Sequence, residues 1–348
     1  MTQPPGIDVD RVSTWLAEHT SLEGRLSFTR IGEGQSNLTF RVADADGRRL
    51  VLRRPPLGAI LASAHDVARE YRILEALASA GARAPRPVAL CEDVDVTGAP
   101  FYAMEYVEGE PLLTVAAAER LSPEARADVG RTLARTLAEF HALDIDEIGL
   151  TDFRRPESLA SRQLRRWQRQ WENSKTRDLP PIDRLAQHFA SHLPDEHETV
   201  LVHGDYHLGN ALIGSSGSIR AVLDWELCST GDPLADVGLM VAYWGEFGAG
   251  ASGDDGLFRE PVTSLPGFSE ASELAVVYAQ ASRRPIANLG FWVSFAYWKV
   301  AIIVEGVYRR WLNDPANGDG AGSLRPAVDR LAGLAETSLE SRWPATGQ

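Results

Sequence analysis

The sequence predicts an α+β protein of two lobes, a small N-terminal lobe with an antiparallel sheet and one main helix, and a larger, mostly helical C-terminal lobe. Short apolar stretches separated by turn residues fill much of the first hundred positions, a pattern typical of strands. Helical patterns dominate after Gly109. The length of 348 residues is sufficient for two lobes with separate cores. We place the lobes at residues 1–104 and 105–348, with a hinge at about 104–109.

The elements of the N-terminal lobe follow from local patterns. Apolar residues at helical spacing predict a first helix over residues 8–20. A second helix, over residues 66–80, ends at Gly81. Strands are predicted at residues 27–31, 38–43, 49–53, 87–91 and 101–106.

The C-terminal lobe opens with a clear helix start. Ser122, Pro123 and Glu124 supply a hydroxyl cap, a proline at the first helical position and an acid in the first turn. The remaining predictions are helices over residues 162–171 and 181–193, a buried strand at 200–202 and a surface loop at 245–256.

Composition excludes several classes of function. The net charge of −13 argues against nucleic acid as a partner, because phosphate backbones recruit lysine and arginine. The two cysteines, Cys91 and Cys228, fit neither a metal spacing nor a disulfide framework. The first ten residues lack the features of a signal peptide. We therefore expect a cytoplasmic protein.

Residues 286–307 are apolar and about as long as a membrane span. They contain Asn288, Lys299 and Glu305, and ionisable groups are costly in hydrocarbon. We therefore interpret this stretch as a buried helix of the C-terminal lobe and expect no membrane partner.

Residues 201–210, Leu-Val-His-Gly-Asp-Tyr-His-Leu-Gly-Asn, are the most informative segment of the chain. An apolar strand runs into a loop that carries Asp205 and then Asn210, and a second acid, Asp224, follows on the next hairpin. Phosphate transfer from ATP needs a carboxylate to orient the acceptor hydroxyl, and an amide and a carboxylate to hold Mg²⁺. We therefore predict a small-molecule kinase with Asp205 as catalytic base and with Asn210 and Asp224 as metal ligands.

The same residues resemble the aminoglycoside phosphotransferase family, which has the bilobal protein-kinase-like fold. The similarity runs from residues 32–37 through the Gly-Asp-Pro-Leu-Ala-Asp of residues 231–236. By this resemblance, the catalytic aspartate of the HGDxxxxN loop is Asp205. Its metal ligands are Asn210 and Asp224.

Residues 32–37, Gly-Glu-Gly-Gln-Ser-Asn, resemble the loop of that family that covers the phosphates of ATP. Gly32 and Gly34 allow the backbone to approach the triphosphate, and free N–H groups, such as that of Ser36, can donate to its oxygens. Asn37 stands about where the kinase pattern has a third glycine.

The resemblance also implies that the backbone of Glu105, Tyr106 and Val107 forms the hinge that reads the adenine edge. Val51 is expected to pack on the adenine face.

Kinases place a lysine on the third strand, where a helix glutamate holds it against the phosphates. This chain has no lysine before Lys175, and strand alternation puts Val51 and Arg53 on one face. Arg53 is therefore the candidate substitute, with Glu70 as its partner. The alternative is an exposed arginine on an edge strand, since Arg54 lies beside it.

Two further acids follow the metal-binding hairpin. Asp232, with Pro233, is interpreted as a helix cap, and Asp236 as a residue that holds the backbone of the catalytic loop.

The acceptor is indicated by a basic segment, residues 154–177, with eight basic and two acidic residues. Arg165, Arg166 and Arg169 would suit an anionic acceptor. The alternative is a solvated helix face with Trp167 and Trp171 packed inward.

The chain is most similar to the branch related to kinase-like domains fused to acyl-CoA dehydrogenases. Arg53, the Arg-Gln-Leu-Arg-Arg-Trp of residues 162–167 and the Leu-Asp-Trp-Glu of residues 223–226 carry this resemblance. It implies a hydroxyacyl-CoA or a related anionic hydroxy compound as acceptor. Two other functions stay open: an aminoglycoside or amino-alcohol kinase, which acceptor charge would distinguish, and a non-catalytic regulatory protein that binds nucleotide.

Overall fold

The computed structural model describes residues 4–32, 37–57, 66–245, 261–313, 324–341 and 343. The chain divides into two compact units, the first formed by Met1–Glu108 with Ala221–Glu226, and the second by Gly109–Arg220 with Leu227–Gln348. The sequence places a single boundary between residues 104 and 105. The return of residues 221–226 to the first unit has no local signal, because it depends on contacts with residues far away in the chain.

The first unit contains a five-stranded sheet. Its elements are α1 (Val9–His19), β1 (Ser27–Arg30), β2 (Leu38–Ala43), β3 (Arg49–Arg54), α2 (Val67–Ser79), β4 (Pro87–Cys91), α3 (Val94–Thr97) and β5 (Phe101–Glu105). The strands lie in the order β1-β2-β3-β5-β4, and all neighbours are antiparallel.

The two faces of β3 explain how the helices are placed on this sheet. Leu50 and Leu52 belong to a core that also contains Val12 and Leu16 of α1. Side chains alternate along a strand, so Arg53 points to the opposite face, where α2 packs against β4 and β5. Helices therefore cover both faces of the sheet, α1 in addition to the one main helix that the sequence predicts.

The second unit is mostly helical. Its elements are α4 (Val115–Glu119), α5 (Pro123–His141), α6 (Leu159–Ser174), α7 (Pro180–Ser191), β6 (Val200–Val202), β7 (Ala211–Ile213), β8 (Ile219–Val222), β9 (Ser229–Gly231), α8 (Leu234–Trp244), α9 (Ala271–Ser282), α10 (Leu289–Asn313) and α11 (Leu324–Leu339). The last two residues of β8 belong to the first unit. β6 pairs with β9, and β7 pairs with β8. Of the loop predicted at residues 245–256, only Gly245 lies within the described residues.

α10 is the central helix of the second unit and packs against α6, α7, α8 and α11. Its Trp298 is fully buried and donates from Nε1 to the carbonyl oxygen of Ile182 at 3.1 Å. Among the described helices, α10 alone is long and apolar enough to cross a membrane, and 78% of its most apolar window is buried inside the protein. The predicted buried helix is therefore confirmed.

Candidate active site

The catalytic loop begins from a buried strand and turns at a glycine. The three residues of β6 are each at most 3% exposed, and the strand pairs antiparallel with β9. Gly204 follows with φ of 83°, a conformation that glycine adopts without strain. A Cβ at this position would lie 2.7 Å from the carbonyl oxygen of Leu227. Glycine is therefore required at the turn that leads to Asp205.

Asp236 of α8 holds the backbone of this turn. Its Oδ2 accepts from the amide of His203 at 2.6 Å, and its Oδ1 from the amide of Gly204 at 2.8 Å. The same Oδ2 lies 3.3 Å from Nε2 of His141, whose Nδ1 is 2.8 Å from the hydroxyl of Tyr278. The predicted role of Asp236 is confirmed, whereas the supporting His141 and Tyr278 were not predicted.

Asp232 serves the fold at the start of the same helix. Its Oδ1 accepts from the amide of Leu234 at 2.8 Å, as a capping side chain does. Its Oδ2 accepts from Nε1 of Trp292 at 3.1 Å, which ties α8 to α10. The predicted cap is confirmed.

Asp205 and Asn210 are brought together by a short 3₁₀ turn, Leu208–Asn210. Nδ2 of Asn210 donates to the carbonyl oxygen of Asp205 at 2.9 Å and to its Oδ2 at 3.0 Å. Because Nδ2 faces Asp205, Oδ1 of Asn210 is turned away from it and can serve as a cation ligand. The Asp205 side chain is 28% exposed, so its carboxylate is both fixed in position and accessible.

Basic groups surround the Asp205 carboxylate. Nε2 of His207 lies 3.5 Å from Oδ2, and the His207 ring stacks on Tyr243 with 4.4 Å between centroids. Enclosure by the protein raises the pKa of Asp205, but His207, Lys299 and His203 lower it by more, and the net pKa is below the ordinary value. The carboxylate is therefore ionised and can accept a hydrogen bond from a hydroxyl group.

Lys299 lies beside the same turn, although the sequence assigned it only to a buried helix. Its Nζ donates to the carbonyl oxygen of Gly204 at 3.0 Å and lies 5.7 Å from the ring centroid of Trp167. Burial lowers its pKa, and Asp205 and Asp236 act in the opposite direction. The sequence contained a signal for Lys299. Burying the charge of a lysine inside an apolar helix costs free energy, so such a lysine is a candidate for a functional role.

Within the first unit, Arg53 contacts three carboxylates. Its Nε lies 3.0 Å from Oε2 of Glu70, and its Nη2 pairs with Asp224 and lies 3.4 Å from Oε2 of Glu226. The side chain is 11% exposed, which excludes the exposed edge-strand arginine. Burial lowers the pKa of Arg53, but the carboxylates raise it by more, so the guanidinium is charged. The pairing with Glu70 is confirmed, whereas Glu226 was not predicted. Arg54 is itself buried.

Asp224 adopts a backbone conformation that is uncommon for residues other than glycine, with φ of 67°. Its segment is held in the first unit by two hydrogen bonds. The amide of Val222 donates to the carbonyl oxygen of Arg83 at 2.7 Å, and Nη1 of Arg69 donates to that of Glu226 at 3.1 Å. These contacts present the Asp224 carboxylate to Arg53.

The predicted phosphate-covering loop is described only at its ends. Gly34 and Ser36 lie outside the described residues, and Gly32 has φ of 77°. Asn37 is 8% exposed and donates from Nδ2 to Oε2 of Glu226 at 2.8 Å. One of the two N–H donors of its side-chain amide therefore fixes the end of the loop.

The predicted hinge residues lie at the end of β5. The amide of Glu105 donates to the carbonyl oxygen of Arg86 at 2.8 Å, so this N–H is used within the first unit and is not available to an adenine ring. The carbonyl oxygen of Glu105 and the backbones of Tyr106 and Val107 stay as candidates for the adenine contact. Val51 is 7% exposed and lies on the α2 face of β3, as alternation requires.

The basic segment of α6 divides between structural and exposed residues. Arg165 makes a two-bond contact with Glu157, with Nη1–Oε1 at 2.5 Å and Nη2–Oε2 at 2.6 Å. The Arg165 side chain is nevertheless 60% exposed, and exposed ion pairs contribute little, so Arg165 stays a candidate for the predicted acceptor wall. Trp167 is 8% exposed and packs inward, as the alternative interpretation predicted. Arg166 and Arg169 are exposed.

The candidate metal ligands are a neutral amide oxygen and a carboxylate, that of Asp224 being 32% exposed. Mg²⁺ is usually bound by one or two carboxylates together with substrate phosphates. Among the described residues, no group of three or more His, Cys, Asp and Glu side chains could hold a metal ion. Each of these two oxygen donors is of a type that Mg²⁺ accepts.

A family model described as "Phosphotransferase enzyme family" matches residues 27–270. Acyl-CoA dehydrogenase family member 10 of Mus musculus is 35% identical over 323 residues, which cover 91% of this chain and 29% of the mouse protein. Acyl-CoA dehydrogenase family member 11 of Gallus gallus is 34% identical over 315 residues, which cover 89% of this chain and 40% of the chicken protein. The chain therefore spans less than half the length of these two relatives.

Among solved structures, the chain is similar to a Ralstonia eutropha protein provisionally described as an aminoglycoside phosphotransferase. The TM-score is 0.76 with 30% identity, and the match covers 96% of this chain and 97% of that one. This similarity confirms the fold class predicted from the sequence.

Proposed function

We propose that this chain, which belongs to the phosphotransferase enzyme family and is a small-molecule kinase, transfers the γ-phosphate of ATP to a hydroxyl group of an anionic metabolite with the help of Mg²⁺. The membership confirms the predicted family resemblance. The observation that carries the proposal is the pair formed by Asp205 and Asn210 on a turn whose backbone Asp236 holds.

Asp205 is proposed to orient the acceptor hydroxyl and to accept its proton. Its carboxylate is ionised, and its position is fixed by Asn210 and by the turn at Gly204. A fixed carboxylate favours the reactive geometry, because little further ordering is needed when the acceptor binds.

Asn210 and Asp224 are proposed to hold Mg²⁺, which when bound would neutralise the charge of the phosphates. Arg53 is proposed to bind a phosphate oxygen in place of the usual lysine. Within the described residues, its Nη1 pairs with none of the three carboxylates that Nε and Nη2 contact. A guanidinium can therefore keep its pairing with Glu70 and still donate to a ligand, because its donors point in different directions.

The acceptor is proposed to be anionic, with a hydroxyacyl-CoA as the leading candidate. Arg166 and Arg169 are exposed on α6, and Lys299 lies next to the catalytic turn. The two relatives reported above are acyl-CoA dehydrogenase family members, and this is consistent with an acyl group in the acceptor.

The proposal is tested by measuring transfer of labelled γ-phosphate from Mg·ATP to hydroxyacyl-CoAs, hydroxy acids, aminoglycosides and amino alcohols. We expect transfer to an anionic acceptor. Asp205→Asn should reduce kcat by about 10²–10⁴-fold, the usual contribution of a general base. Its affinity for Mg·ATP should change little, because the variant keeps Asn210, Asp224 and Arg53.

The matched control is Asp195→Asn, the same replacement at an exposed position, which should retain wild-type rates. Unchanged turnover in Asp205→Asn would contradict the assigned base. Transfer to aminoglycosides alone would instead contradict the anionic acceptor.

A further inference from the structure

The chain contains two lysines, Lys175 and Lys299, among 35 lysines and arginines. Lys175 lies at the end of α6 and pairs with Glu172 at 2.7 Å. Lys299 lies in the middle of α10 with its ammonium at the catalytic turn. The mechanism proposed above assigns no step to this buried cation.

Lys299 lines a small, partly open cleft within the second unit. Gly204 of the catalytic turn and Asp236 line the cleft together with Lys299. Most of the remaining wall is apolar and includes Leu159, Leu239, Trp292 and Phe295. A cleft that combines Lys299 and Asp236 with mostly apolar walls suits a ligand with an oxygen-bearing head and a short hydrocarbon chain.

The ammonium of Lys299 has unused hydrogen-bond donors. Within the described part of the chain, its one hydrogen-bond partner is the Gly204 carbonyl oxygen, and an ammonium carries three N–H groups. Arg166 is close enough to repel it electrostatically and lowers its pKa further. Asp205 and Asp236 attract the ammonium in turn, so its unused N–H groups favour a ligand with a strong acceptor oxygen.

We propose that Lys299 is the acceptor-specificity residue of this kinase: its ammonium binds the acyl oxygen of the acceptor, while the apolar cleft holds the chain that carries the hydroxyl. This inference rests on the proposed function and narrows it to acceptors with an acyl group. The acyl oxygen could belong to a free carboxylate or to a thioester, and the experiment distinguishes the two sources.

The kinetic test compares hydroxyhexanoates, their CoA thioesters and the corresponding hexanediols, which lack the acyl oxygen. In Lys299→Met we expect kcat/KM for the acyl-bearing acceptor to fall about 10- to 100-fold, because a hydrogen bond to a charged group is lost. The value for the diol should fall less than that for the acyl-bearing acceptor, because the diol has no acyl oxygen to lose its contact with Lys299, and the KM for ATP should change less than about 3-fold. Lys175→Met, the matched control, should behave as wild type.

A positioning role for Lys299 through the Gly204 carbonyl would lower the rates for acid, thioester and diol alike, and this result would overturn the proposal. A raised KM for ATP with unchanged acceptor selectivity would assign Lys299 to the phosphates and would overturn it too.

Binding is measured independently of phosphate transfer on the wild-type protein. Lysine labelled with ¹³C at Cε should give two resonances, which Lys175→Met assigns. Hexanoate or hexanoyl-CoA should shift the Lys299 resonance and leave that of Lys175 in place, whereas hexanol should shift neither. The ligand that produces the shift identifies carboxylate or thioester as the source.

A shift in a protein that transfers phosphate to no acceptor would support the Lys299 site and refute the proposed function. Transfer to an acyl acceptor without any shift from either ligand would support the function and refute the site.

Discussion

Arg53 and Arg49 lie in the same strand, but Arg53 pairs with a buried carboxylate and Arg49 with an exposed one. The side chains of Arg53 and Glu70 are 11% and 2% exposed, whereas those of Arg49 and Glu108 are 40% and 66% exposed. Glu70→Gln removes one partner from a buried charge that keeps two others, so we expect the free energy of unfolding to fall by about 1–3 kcal/mol.

Glu108→Gln is the control for Glu70→Gln, and its cost should be below about 0.5 kcal/mol, since exposed ion pairs contribute little. Urea unfolding with an unchanged m-value measures both losses. Equal losses in the two variants would show that burial of the Arg53 pair has no energetic consequence.

The pKa of Lys299 is lowered by burial, and this predicts a pH dependence of stability. The folded protein releases the Lys299 proton at lower pH than the unfolded chain, so between the two pKa values the unfolded chain carries more protons. The free energy of unfolding then rises with pH. Wild type should therefore gain stability relative to Lys299→Met as the pH approaches the ordinary lysine value of 10.5.

Urea midpoints of wild type and Lys299→Met, measured from pH 7 upwards, test this dependence. The other titrating groups are shared by the two proteins, so the difference between the curves reports on Lys299. Curves that stay parallel throughout would be inconsistent with a lowered pKa.

At the scale of single residues, local sequence patterns predicted the side-chain positions that depend on local backbone geometry. Strand alternation was sufficient to place Arg53 on the same face as Val51, whereas Glu70 was assigned as its partner from the kinase pattern. The contact between Lys299 and Gly204 joins residues 95 positions apart. No periodicity encodes such a pair, so the sequence showed a costly lysine without showing its partner.

Two aspartates at the start of α8 have different roles. Asp232 precedes the helix, and Asp236 lies in its first turn. Asp236 holds the backbone of the catalytic turn through two amides, whereas Asp232 caps the helix. Asp236→Asn replaces one acceptor oxygen by a donor that would face an amide, so the turn must shift. We expect kcat to fall by about 10²-fold, the usual effect of a small misplacement of reacting groups.

Asp232→Asn is the matched control on the same helix. It should lower the melting temperature but leave kcat within about 3-fold of wild type, because Asp232 contacts no part of the catalytic turn that the structure describes. Steady-state kinetics and thermal unfolding of both variants separate the two roles. A kcat that falls equally in both would contradict the distinction.

At the scale of elements, helix-capping residues and strand alternation predicted the bounds of helices and strands well where these signals were strong. The bounds predicted for β2, β4 and β6 are those observed, and α5 starts at Pro123 as its capping signal required. α9 was missed, although its buried residues Leu274, Ala275, Tyr278 and Ala279 repeat at helical spacing. α3 and α4 are four and five residues long, too short for any period to be recognised.

At the scale of the whole molecule, chain length and the change from strand to helix patterns indicated two parts. They could not show that Ala221–Glu226 belongs with the first part. Membership of that segment depends on partners such as Arg53 and Arg83, which lie far from it in the sequence. Long-range pairing of this kind is decided by tertiary contacts, so the sequence pattern alone assigned Asp224 to the second lobe.

Because the first unit is built from two separate stretches of sequence, its parts are synthesised on the ribosome at different times. All five strands of the sheet in the first unit have been synthesised by Glu105, when Arg53 already has Glu70 as a carboxylate partner. Asp224 and Glu226 are made roughly 120 residues later, a delay of about 6–24 s at about 5–20 residues per second. For that interval the nascent sheet carries a cation that lacks two of its three carboxylate partners. The first unit is completed only after much of the second has been made.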